Sequence, residues 1–228
     1  VFGGLSTEKA LAYTATLLRV FPCGLTRPFH DLLRAQGAIY REVSHVRPYE
    51  GGLSGIIRNQ EVLVGTAAFM HLMDVALPQG LNIKHGVFCA IDGQLAGMFP
   101  LNYAMSPAVN PSLSALMRAD VSPILATRDF NLIPALLEQK FKLPVDKMEF
   151  PPVERRIELS QQDQEHSEVP VALLCREGLN VYSDAVVGAR RLRSTVRRSL
   201  IFALAGAVVG VCLTFYLTYV GAWDSLTP

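Results

Sequence analysis

Apolar residues recur at helical spacing in the first part of the chain. In residues 7–20 they fall on one face of a helix, and Ser6 stands where a side chain commonly caps a helix N-terminus. Pro22 and Gly24 interrupt this stretch, and RPFHDLLRAQGA then predicts a second short helix that ends near Gly37. The sequence therefore predicts two consecutive helices here.

Shorter apolar runs predict two β-hairpins with a helical stretch between them. The runs GGLSGIIRNQ and EVLVGTAAF form the first pair, with Asn59 and Gln60 in the turn and Gly65 ending the second strand. The run HGVFCAIDGQLAGMFPL forms the second pair, because its Asp-Gly step is a strong hairpin signal. Between them, FMHLMDVAL has a helical period. Residues 1–98 are thus predicted to form a small α+β module.

The pattern changes after Ser106. A helix in PAVNPSLSALMRAD, a strand in VSPILAT and a helix in FNLIPALLEQKF alternate as in a doubly wound α/β sheet, and VALLCREGL predicts one further buried strand. The polar, proline-bounded residues 149–170 predict a surface linker. We therefore predict a second, partial domain over residues 99–189.

Residues 199–222 contain no charge and are long enough to cross the ~30 Å hydrocarbon core of a bilayer as a helix. Five arginines precede this segment, at positions 190, 191, 193, 197 and 198. The positive-inside rule therefore predicts that the N-terminal side lies in the cytoplasm, and the same arginines are suited to bind membrane lipid headgroups. Residues 190–228 are predicted to form a basic stalk and one transmembrane helix in the cell membrane. The alternative is a core helix of a large soluble domain.

Net charge and cysteine spacing argue against a nucleic-acid interface and against a cysteine-based metal or redox site. A formal net charge of +1 gives the chain no overall electrostatic footprint for nucleic acid. The four cysteines are widely spaced without a C-x-x-C pair, which argues against a zinc or redox pair and favours buried thiols. The methionines fall at core spacing, so packing explains them better than soft-metal binding. We predict no metal site and no nucleic-acid partner.

The order of these motifs resembles the cytosolic ATP-handling region of P-type cation-transporting ATPases, most closely the heavy-metal transporters. LTRPFHDLL, EGGLSGII and VLVGTAAFM resemble the family's helix start, glycine-rich loop and next strand. IDGQLAGMFPLNYAMSP resembles its return into the phosphorylation domain, with Tyr103 and Ser106 where an Asp and an Arg are usual. ILATRDFNLIPALLEQKFKLP resembles a haloacid-dehalogenase-like core, with Arg128 in place of a loop glycine. The resemblance implies a small α+β nucleotide-binding-like module inserted in a partial haloacid-dehalogenase-like doubly wound α/β core, followed by a transmembrane helix.

The resemblance implies an ATP site in the first module. Gly52, Gly55 and Gly65 match its glycine positions, where backbone N–H groups could cradle phosphate or the glycines could only shape a hairpin. Arg27 replaces the family's adenine-contacting histidine and Thr26 replaces its glutamate. Arg27 could still stack on a base, but the usual contact is lost. ATP binding is therefore expected to be weak or lost.

The catalytic residues that the resemblance implies are Thr127 and Asp129. The two could bind a phosphate and a lysine-type partner, or Asp129 could cap the next helix. The family's D-K-T-G-T nucleophile motif does not occur and would lie upstream of Val1. Nothing in residues 130–175 resembles the family's G-D-G-x-N-D loop, whose carboxylates hold magnesium. Magnesium binding is therefore also expected to be weak or lost.

Three functions fit these observations. The first is a membrane-anchored, degenerate relative of metal cation transporters without ATP turnover, whose partners are nucleotide, the remainder of a transporter or another membrane protein. The second is the C-terminal part of a working heavy-metal P-type ATPase, which would need an upstream D-K-T-G-T and replacement magnesium ligands. The third is a single-pass scaffold with a cytosolic protein-binding domain. We favour the first, because Arg27, Arg128 and the missing loop alter groups that the chemistry requires.

Overall fold

The computed structural model describes residues 6–78, 80, 85–161, 163 and 178–221. The chain divides into two units. Residues 1–106 with 122–168 form unit 1, and residues 107–121 with 169–228 form unit 2. The domain boundaries predicted after residues 98 and 189 stay predictions.

Helices and strands alternate irregularly along the chain. The helices, numbered in chain order, are α1 Thr7–Val20, α2 Thr26–Ala35, α3 Ala67–Leu72, α4 Val109–Arg118, α5 Pro134–Phe141, α6 Val153–Leu159 and α7 Leu179–Tyr219. The strands are β1 Ser44–Tyr49, β2 Gly52–Ile57, β3 Gln60–Gly65, β4 Gly86–Ile91 and β5 Gln94–Pro100. The strands form one antiparallel sheet in the order β1-β2-β3-β4-β5, in which each strand pairs with its neighbour in sequence. Unit 1 is therefore an α+β fold, as predicted for the first module.

Helix α1 lies against one face of the sheet and contributes a continuous run of buried residues to the core. It begins where the sequence predicts, because the Ser6 hydroxyl accepts a hydrogen bond from the Lys9 N–H at 3.2 Å. Its buried residues run from Ala10 to Leu18 and pack with Val62 and Val64 of β3. Leu63, the alternate residue of β3, packs instead with a cluster around α3. The sheet thus has apolar residues on both faces.

Both predicted hairpins are confirmed, with a shift of one residue in the first turn. Arg58 and Asn59 form that turn with φ values of 52° and 60°, as a two-residue turn with left-handed residues requires. Gln60 already pairs with Ile57 at the start of β3, so its assignment to the turn was wrong. The second turn lies at Asp92 and Gly93, as predicted.

The strand predicted in VSPILAT is wrong. Ile124 forms only an isolated parallel bridge with Glu149, flanked by two backbone hydrogen bonds of 2.9 Å. Pro123 has no N–H with which to continue a ladder, and Ile124 is 50% exposed, so no second strand is recruited. The described residues therefore do not form the predicted doubly wound parallel sheet.

The polar stretch 149–170 is not wholly a linker. Residues 153–159 form α6, which begins directly after Pro152 and buries Val153. Residues 164–170 lie outside the described residues, as does most of the strand predicted in VALLCREGL. The helices predicted around α4 and α5 are confirmed, although α5 begins only at Pro134.

Unit 2 consists of α4 and the 41-residue helix α7. The two helices are joined by a buried contact, in which the Ser183 hydroxyl donates to the Ser112 carbonyl at 3.1 Å. By length and composition, α7 is the one described helix that could cross a membrane. Its apolar residues from Leu200 onward are largely exposed, as expected of a helix that meets lipid.

Candidate functional site

Gly52 and Gly65 face each other across the β2–β3 ladder. A Cβ atom on Gly52 would lie 2.5 Å from both the Val64 carbonyl oxygen and Cδ1 of Phe69. A Cβ on Gly65 would lie 2.4 Å from the same Phe69 atom. The Phe69 ring, which is 2% exposed, therefore fills the space beside both glycines.

Gly55 lies on the opposite face of the sheet. A Cβ atom there would meet Cδ2 of Leu17 at 2.6 Å, on the α1 side. The structure therefore brings Gly52 and Gly65 together but not Gly55. Close packing against Phe69 and Leu17 leaves no room for a larger side chain at these positions. The two interpretations of the glycines, a phosphate cradle or a hairpin shape, stay predictions.

Arg27 lies in the first turn of α2 with its side chain exposed. Its neighbour Thr26 joins the two helices, because its hydroxyl accepts from the Cys23 N–H at 2.9 Å and donates to the Leu18 carbonyl at 2.7 Å. The Thr26 hydroxyl thus forms hydrogen bonds within the protein, while the Arg27 side chain faces solvent.

Thr127 and Asp129 form a tight loop with their neighbours. The Asp129 N–H donates to the Thr127 hydroxyl at 3.1 Å, and the Asn131 N–H donates to Asp129 Oδ1 at 3.0 Å. The Tyr103 hydroxyl donates to Asp129 Oδ2 at 2.7 Å. Asp129 does not cap α5, since Ile133 precedes that helix and no side chain caps it. The carboxylate instead fixes the turn before the helix.

Burial dominates the electrostatics of this loop. Asp129 is 2% exposed, and burial raises its pKa, while hydrogen bonds from Tyr103 and Asn131 act in the opposite direction. Burial also raises the pKa of Tyr103, and the nearby Asp129 charge raises it further. The carboxyl group is thus held in surroundings that disfavour its ionised form.

Arg128 points away from the loop toward α6. Its Nε donates to the Ser160 hydroxyl at 2.7 Å, and Nη2 donates to the Ile157 carbonyl at 3.3 Å. Its guanidinium also lies 5.4 Å from the centre of the Phe21 ring. The positive charge of Arg128, at the position where the resemblance implied a glycine, therefore bonds to residues of the α6 region.

A second arginine ties α6 to the loop and to the sheet. Arg156 forms an ion pair with Glu50 and donates to the Thr127 carbonyl at 3.4 Å. Glu50 also accepts a hydrogen bond from the Val153 N–H at 2.8 Å, at the start of α6. Sequence reasoning missed Glu50 and Arg156, because residues so far apart in the chain carry no local signal. It noted Tyr103 only as a departure from the family pattern.

A pH prediction follows from the buried carboxyl group. Because the pKa of Asp129 is raised above its ordinary value of 3.8, the folded state binds this proton more tightly than the unfolded state. Proton binding at Asp129 therefore stabilises the fold fully at pH values below 3.8. This stabilisation is lost as the pH rises through the raised pKa of the folded state. We expect Asp129→Asn, which keeps a carbonyl acceptor, to flatten the fall in urea midpoint as the pH rises above about 4. Glu138→Gln, an exposed change on α5, is the control; equal slopes for Asp129→Asn and wild type would contradict the prediction.

The described residues contain no group of three or more His, Cys, Asp or Glu side chains that could hold a metal ion.

Compared by sequence, the chain matches no protein-family model and no curated protein.

The fold is similar to parts of several solved transporter structures. For the N-domain of HMA6, a copper-transporting P-type ATPase, the TM-score is 0.39 at 16% identity, over 45% of this chain and 93% of that one. For the catalytic domain of the CPx-ATPase CopB-B, the TM-score is 0.41 at 15% identity, over 65% and 52%. For a zinc-transporting PIB-type ATPase, it is 0.35 at 16% identity, over 66% and 25%. The chain thus spans about half of the second protein and a quarter of the third.

Proposed function

We propose that the chain is a membrane-anchored relative of the nucleotide-binding region of metal-transporting P-type ATPases, and that it does not turn over ATP. The observation that carries this proposal is the loop at Thr127 to Asp129. Each of its three side chains bonds within the protein, and the Asp129 carboxyl group is buried. The loop therefore supports the structure around α6 rather than presenting groups to a phosphate.

Phosphoryl transfer depends on positioned charges that face the transferred group. Arg128 offers the loop's positive charge, but its donors bond to Ser160 and Ile157 on the α6 side. Both oxygens of Asp129 accept hydrogen bonds from the protein. These hydrogen bonds within the protein support the predicted loss of ATP turnover.

Magnesium does not fit this loop. The ion prefers ionised carboxylates and water in octahedral geometry. Asp129 is the loop's one carboxyl group, and both of its oxygens already accept hydrogen bonds from the protein. We therefore assign no magnesium-dependent step to these residues.

The packing around Gly52 and Gly65 is a separate reason to expect that nucleotide binds weakly. A phosphate bound against Gly52 and Gly65 would have to displace the Phe69 ring, which belongs to the apolar cluster on that face. Opening that cluster costs a few kcal/mol, because a buried phenylalanine contributes about 3–5 kcal/mol to stability. A bound nucleotide would have to offset this cost.

We expect ATP to bind the full chain with a dissociation constant above ~1 mM in titration calorimetry. Arg27→Ala should leave this dissociation constant unchanged. Arg34→Ala, on the same helix, is the matched control. Low-micromolar binding that Arg27→Ala abolishes and Arg34→Ala keeps would contradict the proposal and favour a working nucleotide site.

The membrane part of the proposal rests on α7 and its preceding arginines. We expect protease added to inverted membrane vesicles to digest unit 1, because the arginine-rich side should face the cytoplasm. A tag placed after Pro228 serves as the control and should be protected in the same vesicles. Digestion of the tag with protection of unit 1 would reverse the orientation.

A further inference from the structure

A groove with a volume of about 860 Å³ lies at the C-terminal end of α1, within unit 1. Its lining includes Arg19 of α1, Arg41 from the segment before β1, and Arg58 of the β2–β3 turn. None of these arginines forms an ion pair among the described residues. Glu42 is the one acidic residue among the described residues that line the groove. Positive charge therefore exceeds negative charge along it.

Arg19 and Arg41 are positioned by local contacts that leave their charged groups available. The Arg19 guanidinium lies 4.5 Å from the centre of the Tyr40 ring, and the Tyr40 hydroxyl is hydrogen-bonded to His30 Nδ1. The Arg41 backbone N–H donates to the Thr16 hydroxyl at 3.1 Å. These contacts fix the ring and the backbone without using the hydrogen-bond donors of either guanidinium group.

Arg58 occupies a position that its backbone conformation disfavours. Its φ is 52°, in the left-handed region that a two-residue hairpin turn requires. Asn, Asp or Gly is usual there, because longer side chains are strained in this conformation. The turn itself therefore gives no reason for an arginine, whereas binding of a negatively charged ligand along the groove would give one.

The groove also exposes aliphatic surface. Val20, at the end of α1, is 53% exposed, and Ile56 of β2 is 39% exposed. Both residues line the groove beside the arginines. A bare inorganic anion would leave this surface in water, whereas a ligand with apolar groups would bury it. The groove therefore suits a ligand that combines negative charge with apolar groups.

The groove is separate from the residues that carry the proposed function. Gly52 is the first residue of β2, whereas Arg58 follows the last residue of that strand. At about 3.4 Å per residue, the two positions are roughly 20 Å apart. Neither the glycine pair nor the loop at Thr127 to Asp129 lines the groove. A ligand here would bind independently of any nucleotide.

We propose that this groove binds an acidic peptide segment of a partner protein, one that carries both carboxylates and aliphatic side chains. Guanidinium groups donate paired, charge-assisted hydrogen bonds to carboxylates, which accounts for the three arginines. The aliphatic side chains of the peptide would cover Val20 and Ile56.

A peptide fits the groove better than a nucleic acid does. Bases bind single-strand sites by stacking on free aromatic faces. Tyr40 is the one aromatic residue among the described residues that line the groove, and its ring already contacts Arg19 and stacks with His30 at 5.8 Å. The described groove therefore offers aliphatic surface but no free ring.

Side chains, rather than an added β-strand, would recognise the peptide. Strand β1 forms an edge of the sheet and begins in the groove at Ser44. An irregularity in its pairing between Ser44 and Arg47, together with Pro48, blunts this edge against a further strand. The arginines and the aliphatic residues are thus the groups whose removal should weaken binding.

The test uses the full chain in an uncharged detergent with short fluorescein-labelled peptides of equal length, read by fluorescence anisotropy at low salt. A peptide of alternating glutamate and leucine should bind about five-fold more tightly than one of alternating glutamate and serine, because only the first covers the aliphatic surface. A peptide of alternating lysine and leucine should not bind. Detergent micelles without protein measure how much peptide enters the detergent.

Two variants separate the charge from the aliphatic surface. Arg58→Asn should weaken the glutamate–leucine peptide about ten-fold without lowering the urea midpoint, because asparagine suits the left-handed turn. Ile56→Thr keeps a β-branched residue in the strand and should weaken the same peptide about five-fold. Arg47→Ala is the matched control, because Arg47 is exposed on β1 and does not line the groove. Its affinity should stay within about two-fold of the wild type.

Four results would overturn the proposal. Absence of binding by the glutamate–leucine peptide up to ~1 mM would show that the groove does not take this ligand. Equal affinity for the glutamate–serine peptide would remove the role of the aliphatic surface. An equal loss in Arg47→Ala and Arg58→Asn would show a diffuse charge effect. Tighter binding of an oligothymidylate with the same number of charges would assign the groove to nucleic acid.

Discussion

No acid-stable, hydroxylamine-sensitive phosphoprotein is expected when the full-length protein is incubated with γ-labelled ATP, magnesium and a panel of soft metals. Losing one positioned group that stabilises a transition-state charge typically costs about 10²–10³ in rate. Here Arg128 is turned to α6 and Asp129 is buried, so two such groups are unavailable to a phosphate. The combined loss is on the order of 10⁴–10⁶.

Paired variants separate a specific label from background. Asp129→Asn and Asp120→Asn both remove one carboxyl group, but Asp120 is exposed. Any background label should be the same in both variants. A label that Asp129→Asn abolishes and Asp120→Asn retains would establish turnover and contradict the proposed function.

Gly65→Ala is expected to destabilise unit 1 by about 3 kcal/mol, measured from urea unfolding of the full chain. The added methyl group would lie 2.5 Å from the Gly51 carbonyl oxygen and 2.4 Å from the Phe69 ring. The ring could turn, but the carbonyl belongs to a backbone that hydrogen-bonds Thr66 at 2.8 Å. The overlap with the carbonyl oxygen therefore cannot be relieved without disturbing that backbone hydrogen bond.

Gly188→Ala is the control for this prediction, because no atom lies within 4 Å of the added methyl group. That change in an exposed helix should cause no loss and should favour the helix by about 0.5–1 kcal/mol. Wild-type stability in Gly65→Ala would show that Phe69 does not occupy the space between the glycines in solution.

Local patterns predicted the first helices and the hairpins well. Ser6 caps α1 as expected, and the Asp-Gly turn lies at residues 92 and 93. These features depend on neighbours in sequence, which periodicity and turn chemistry describe directly. Strand β1 was missed because Pro48 and exposed polar residues weaken its pattern, and its pairing with β2 decides its structure.

The candidate site was predicted less completely, because its contacts are long-range. Thr127 and Asp129 were identified, yet the partner that most affects Asp129 is Tyr103, 26 residues away. Arg128 was recognised as a departure from a glycine pattern, but its direction toward Ser160 follows from α6, which the sequence presented as a linker. Only the folded chain shows which groups are already bonded.

The continuity of α7 has a mechanical consequence. The helix runs from Leu179 to Tyr219 without a break, so it can act as a lever in which a tilt of the C-terminal part displaces the N-terminal part. Transmembrane helices tilt by about 20° on average and change tilt with bilayer thickness. Over the roughly 30 Å between Ser199 and Leu179, such a tilt moves the outer end of the lever by about 10 Å. Because α4 contacts α7 at Ser183 and Arg190, α4 would move together with that arm, and in the proposed membrane-anchored state its displacement would follow the tilt of α7.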